Sequence, residues 1–211
     1  MSDNDRGSTV EAWIDGFDDE QKLAMRWLGQ FISFYAQVEG FCHVLFRRYC
    51  GVKANVARAI TGGARLADLL PMLAVVIESS DMGEAGKKDF VVCIEQLNHL
   101  TAFRHRLVHR GIEQSLGLIN KVMGQFHSSN VLTAKAKESI EILRFQRHDL
   151  EAAATDCLRI YTRMQFMTLE SEKQSARSLL QKDFEQALYG PWLYKPLQPE
   201  KPHQPRRKTR R

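Results

Sequence analysis

Residues 18–51 read DDEQKLAMRWLGQFISFYAQVEGFCHVLFRRYCG, and this stretch decides the fold. Trp27, Phe31, Phe34, Val38, Phe41 and Leu45 recur at steps of four and three, the spacing of an apolar seam along one helix face. Asp18 can cap that helix through its side-chain oxygen. Asp19 and Glu20 then sit at the positive end of the dipole, and Gly51 marks a stop after residue 49. A seam this rich in aromatic rings is unusual for an exposed coiled coil. The pattern therefore predicts the central helix of a bundle, with the rings in its core.

Outward from this helix the chain stays helical. Upstream, residues 1–7 read as disordered, and Ser8 with Glu11 has capping-box spacing before a short helix bearing Val10, Trp13, Ile14 and Phe17. Downstream, Thr61-Gly62-Gly63 is a loop. Residues 64–78 then form an apolar helix through Leu66, Leu69, Leu70, Leu73, Val76 and Ile77, with Pro71 as a kink or as the true first turn. After a glycine- and serine-rich turn, a third helix runs from about Lys87 to Arg110, with Gly111 as its C-terminal stop. Residues 112–146 are punctuated by Gly117, Gly124, Ser128, Ser129 and Asn130, which suggests a small hairpin-like insertion with a strand over 138–145. A last long helix starts at Asp149 and runs through about Leu169, with Leu150, Ala153, Ala154, Cys157, Ile160, Tyr161 and Met164 on its inner face. Residues 171–189 are helix-compatible but more polar, and prolines at 191, 196, 199, 202 and 205 exclude regular structure beyond Gly190. The expectation is an all-α, up-and-down bundle of four to five helices over residues 8–189. A small irregular or hairpin insertion interrupts it, and a disordered, Pro-rich basic tail over 190–211 adds nothing to the core.

Composition narrows the class. No run approaches the length of uncharged apolar residues that a membrane helix needs, and the first residues, Met-Ser-Asp-Asn-Asp-Arg, are the opposite of a secretion signal. A cytoplasmic protein without membrane partners is expected. The four cysteines (Cys42, Cys50, Cys93, Cys157) are scattered within apolar helical patterns, which predicts buried reduced thiols. The formal charge of +5 is localised: residues 195–211 hold seven Lys or Arg and one acid, net +6, against −1 for the remainder. Arg206, Arg207, Lys208, Arg210 and Arg211 form a basic end suited to salt-sensitive, sequence-independent RNA contact. A solvated flexible end is the plain alternative.

The chemistry concentrates in residues 104–111, RHRLVHRG. Phe90, Cys93, Leu97, Leu100 and Leu107 mark an apolar seam, and position 104 continues it with a guanidinium. A buried unpaired charge costs several kcal/mol, on the order of the stability of a small domain, so Arg104 calls for a counter-ion, a cleft or an anionic ligand. His109 lies five residues on, ~140° further round at ~100° per residue, so one helix does not aim both side chains along one line. A groove beside a second helix would collect them.

A long aromatic-seamed helix, a short helix, and a third helix ending in Arg-polar-x-x-x-His before a glycine resemble the HEPN superfamily of nucleic-acid-associated domains. The resemblance covers roughly residues 18–169 and rests on Arg104, His105, His109, Leu107-Val108 and Gly111. His105 stands where Asn is frequent in such proteins, and Glu39 occupies a place on the long helix where relatives often carry an acid. The resemblance implies a homodimer whose motifs meet across the two-fold axis, and a metal-independent endoribonuclease needing no cofactor. It also implies a toxin or defence setting with a cognate antitoxin protein as partner. Arg104 would bind phosphate oxygens and the charge developing on them. His109 suits proton donation and abstraction near neutral pH, and His105 would position RNA or act as a second acid/base. Glu39 would support the site.

Three alternatives stay open at this point. Arg104 as a structural arginine paired with Glu39 would make the chain an unrelated helical regulator. An intact motif without activity would make it a silent HEPN-like dimer binding RNA or a partner protein. His105 and His109 also have the i, i+4 spacing of two metal ligands, but no third or fourth ligand accompanies them, so no metal is expected. His43 and His99 read as structural or surface residues.

Overall fold

The computed structural model describes residues 17–110, 113–114, 125–129, 141–170 and 182–199. Its first helix, α1 (Asp19–Tyr49), begins in a capping box: Asp18 accepts from the Gln21 N–H, and the Gln21 side chain accepts from the Asp18 N–H. The helix ends before Gly51, whose φ of 69° is the left-handed conformation that favours glycine. Phe31, Tyr35, Val38, Cys42 and Leu45 are buried on α1, while Trp27, Phe34 and Phe41 are half-buried against the core. Phe31, Val38 and Leu45 of the expected seam are thus at the centre of the face, and Tyr35 and Cys42 replace their neighbours Phe34 and Phe41 there. α1 is covered from more than one side, which widens its apolar face and puts the large rings on its flanks.

Among the described residues five further helices and a small sheet follow: α2 (Ala54–Thr61), α3 (Leu66–Glu78), α4 (Glu84–Arg110), α5 (Arg147–Glu170) and α6 (Lys182–Tyr189), with β1 (Glu113–Gln114), β2 (Gln125–Ser129) and β3 (Ile142–Gln146) between α4 and α5. The helices α1, α3, α4 and α5 pack in a ring, α1 on α5, α5 on α4, α4 on α3 and α3 on α1. The short α2 comes in addition to the expected elements. α3 carries Pro71 inside it, and its buried face is Leu66, Leu69, Leu70, Leu73 and Ile77. The molecule is all-α with a small insertion.

That insertion is an antiparallel three-stranded sheet in the order β1-β2-β3, with Phe126 opposite Phe145. Leu143 and Phe145 alternate with less buried neighbours on β3, the period-two pattern of a half-buried strand. β3 begins at Ile142, later than the strand expected over 138–145, and runs directly into α5.

Phe103 joins these layers. Its ring lies 5.6 Å from Phe31, 5.7 Å from Phe145 and 4.9 Å from Tyr194. The α4 seam therefore passes from Leu100 through Phe103 to Leu107, all buried, and not through Arg104 as the spacing suggested. Steps of three and of four both keep a residue on one helix face, so either neighbour satisfied the periodicity.

The boundary at residue 190 needs the larger correction. Residues 190–199 form neither helix nor strand, as the prolines dictate, yet Tyr194 is buried and Trp192 and Leu197 pack on the core. A buried polar clamp on α5 fixes them. Asp156 accepts from the N–H groups of Leu193 and Tyr194 and from Gln96 and Arg159. Arg159 also donates to the carbonyls of Leu188, Gly190 and Pro191. Arg163 pairs with Asp89 and stacks under the Trp192 and Tyr189 rings. The expected first helix over 8–17 (Phe17 apart), the disordered 1–7, the Gly111 stop, residues 171–181 and the basic cluster 206–211 lie outside the described residues.

Candidate active site

Arg104, His105 and His109 all line one cleft of about 470 Å³, together with Tyr35, Glu39, Arg65, Leu66, Ala67 and Thr101. Three elements build it. α1 contributes Tyr35 and Glu39, α4 contributes its last turns, and the start of α3 closes the far side. Gly63, at φ 80°, turns the chain between α2 and α3, and a Cβ on Gly62 would come within 2.8 Å of the Arg58 carbonyl. Gly62 and Gly63 form the turn for steric reasons, while Thr61, expected in the loop, is the last residue of α2; the turn brings Arg65 to the cleft as the N-cap residue of α3. α3 is the second element that collects side chains one helix alone spreads over a wide arc.

Arg104 is half-buried. Its guanidinium lies 5.7 Å from the Tyr35 ring centre, and its Nε is buried without a hydrogen-bond partner. Among the described residues no carboxylate pairs with Arg104 or with Arg65. The structural ion pair with Glu39 is therefore not formed, although Glu39 shares the cleft. The contrast along α4 is informative. Arg106 and Arg110 both reach Glu141, at 3.7 and 3.2 Å, whereas Arg104 does not.

His105 and His109 have ring centres 4.6 Å apart. His105 is exposed at the cleft; partial desolvation there, then the adjacent His109 and the charges of Arg110, Arg104 and Arg65, hold it below the ordinary histidine value. Tyr35 is pushed the other way, to about 12, chiefly by burial, so it remains a neutral hydroxyl. Thr101 donates its single proton to the Leu97 carbonyl at 2.7 Å, so in the 2.9 Å contact between the two hydroxyls Tyr35 is the donor. The Tyr35 oxygen is left with acceptor capacity only.

All four proposed site residues within the described chain (Arg104, His105, His109 and Glu39) meet at this cleft. Arg65, Tyr35 and Thr101 were not singled out by sequence. Arg65 carries no motif, and Tyr35 is masked by its place beside Phe34 in an aromatic seam. Among the described residues no group of three or more His, Cys, Asp or Glu is arranged to hold a metal ion, and no helix is long and apolar enough to cross a membrane. Compared with family models, curated proteins and solved structures, the chain gives no match.

Proposed function

We propose that the chain is a metal-independent endoribonuclease of the HEPN type, working at the cleft of Arg104, His105 and His109. One observation carries the reading: a guanidinium with a buried, unpartnered Nε opens into a cleft beside two adjacent imidazoles. An arginine without a carboxylate needs an anion to offset its desolvation, and a phosphodiester is an anion that two histidines can act on.

The residues divide the reaction as follows. Two imidazoles this close do not both carry charge comfortably, and His105 is held toward neutrality. His105 takes the proton from a ribose 2′-hydroxyl as its oxygen attacks the adjacent phosphorus. The bond from phosphorus to the 5′ oxygen breaks, and His109 gives that oxygen a proton. A 2′,3′-cyclic phosphate and a 5′-hydroxyl result. Arg104 offers its fork to the non-bridging oxygens, whose charge grows in the transition state. A homodimer, a toxin or defence role and a cognate antitoxin belong to the same reading and rest on the family resemblance, while a cytoplasmic setting rests on the polar first residues and the lack of a long apolar run. Arg206, Arg207, Lys208, Arg210 and Arg211 would add salt-sensitive RNA affinity.

Total RNA incubated with the protein in excess EDTA tests this, with His109→Ala and Arg104→Ala alongside. Each variant should lose about 10²–10⁴ in cleavage rate with helical content unchanged. Full activity in His109→Ala, or a strict need for added divalent metal, would overturn it.

A further inference from the structure

The cleft is chemically two-sided. Arg104, His105 and His109 on α4 and Arg65 at the head of α3 supply cationic and donor groups. The Tyr35 oxygen, whose proton is committed to Thr101, and the Glu39 carboxylate supply acceptors on α1. A simple anion would use only the first set. A ligand with a phosphate at one end and a hydroxyl donor at the other would use both, and about 470 Å³ falls in the range of small-ligand clefts.

We infer that the cleft is a subsite for one ribonucleotide, in which Arg65 and Arg104 grip its 5′-phosphate from opposite walls while Glu39 accepts the hydrogen bond of its 2′-hydroxyl. The inference builds on the ribonuclease reading of the same cleft and assigns it the nucleotide downstream of the cleaved bond. That nucleotide contributes the scissile phosphate through its 5′ oxygen, while the attacking hydroxyl comes from its upstream neighbour. Its own 2′-hydroxyl does not react and is free to be read, and this group separates RNA from DNA. Arg65 is a phosphate-binding residue here. It is exposed, caps α3 without a side-chain cap bond, and stands near enough to His105 to depress its basicity, which places a second cation beside the phosphate locus. The start of α3 adds the positive end of a helix dipole to the same wall.

Binding to the intact chain tests the assignment without relying on cleavage. The probes are adenosine 5′-monophosphate and its 2′-deoxy form, titrated by calorimetry and followed through the His105 and His109 ring protons by NMR. Wild type should bind the ribonucleotide several-fold more tightly than the deoxynucleotide. Arg65→Gln should weaken both about tenfold, the scale of one lost charge-assisted hydrogen bond, while Arg26→Gln, an exposed arginine outside the cleft, should weaken neither. Glu39→Gln should leave deoxynucleotide affinity the same or higher and narrow the preference between the two. Equal affinity for both nucleotides in wild type, or unchanged binding in Arg65→Gln, would overturn the subsite. The outcome is separable from that of the nuclease: RNA cleavage lost in His109→Ala but indifferent to Arg65 defeats this inference alone. Arg65-dependent ribonucleotide binding in a chain that cleaves nothing sustains the subsite and defeats the nuclease.

Discussion

Phe103 and Arg104 are consecutive, and the fold uses them in opposite ways. Phe103 is buried between Phe31, Phe145 and Tyr194. Arg104 stands at the cleft edge with an unpartnered Nε. Phe103→Ala should cost about 3–5 kcal/mol, the price of an aromatic ring removed from a packed core. Arg104→Gln should shift stability by less than about 1 kcal/mol, because it gives up only a stacking contact with Tyr35 and relieves a desolvated cation. Urea unfolding of the two variants measures the difference, and comparable losses would contradict the assignment of Phe103 to the seam. The sequence identified Arg104 as chemically significant because a guanidinium near an apolar face is costly wherever it points. It could not decide which of two adjacent residues faces inward, since that depends on how α4 is rotated against α1 and the sheet.

At the scale of elements, the spans set by local rules were legible. Asp18 caps α1, Gly51 follows its end, and α5 spans the expected helix. The polar clamp was hidden for a specific reason. Asp156, Arg159 and Arg163 follow one another at steps of three and four, which in a lone helix reads as a solvated stripe. It is buried because Trp192 and Tyr194, more than 25 positions downstream, fold back over it, and no periodicity encodes that return. Asp156→Ala should therefore be among the most damaging single changes, about 3–5 kcal/mol. It would strand Arg159, Gln96 and two backbone N–H groups in a dry site. Truncation tests the same element: a chain ending at residue 189 should lose cooperative unfolding or much of its stability, whereas one ending at 199 should retain both. Equal midpoints for the two truncations would remove the clamp from the account of stability. The second truncation also isolates the charge effect, since residues 201–211 carry six of the tail's seven basic side chains, and RNA affinity should fall with a flatter salt dependence.

For the whole molecule, the cleft links pH, anions and stability. His105 sits below its ordinary value of about 6.5, first through partial desolvation and then through His109, Arg110, Arg104 and Arg65, and among the described residues Glu39 is the one carboxylate that lines the cleft. Between the ordinary and the lowered value the unfolded chain holds a proton that the folded chain does not. Its contribution is therefore fully present above about pH 6.5 and is lost as pH falls through the lowered value. An anion bound among the cationic groups reverses the cause, because it favours the protonated imidazole and binds the folded state alone. Sulfate is the useful probe, as its charge is constant over this range. The melting temperature should fall between pH 7.5 and 5.5 in chloride, and fall distinctly less in sulfate at equal ionic strength. His105→Gln should shrink both the fall and the sulfate effect, and Arg104→Gln mainly the sulfate effect, with a smaller reduction of the fall because one of the charges that lower His105 is gone. Screening is matched at equal ionic strength, and the general stabilisation of folded proteins by excluded sulfate is an offset nearly independent of pH, so neither predicts a difference in the fall. A smaller fall in sulfate that survives both substitutions would place the anion away from this cleft.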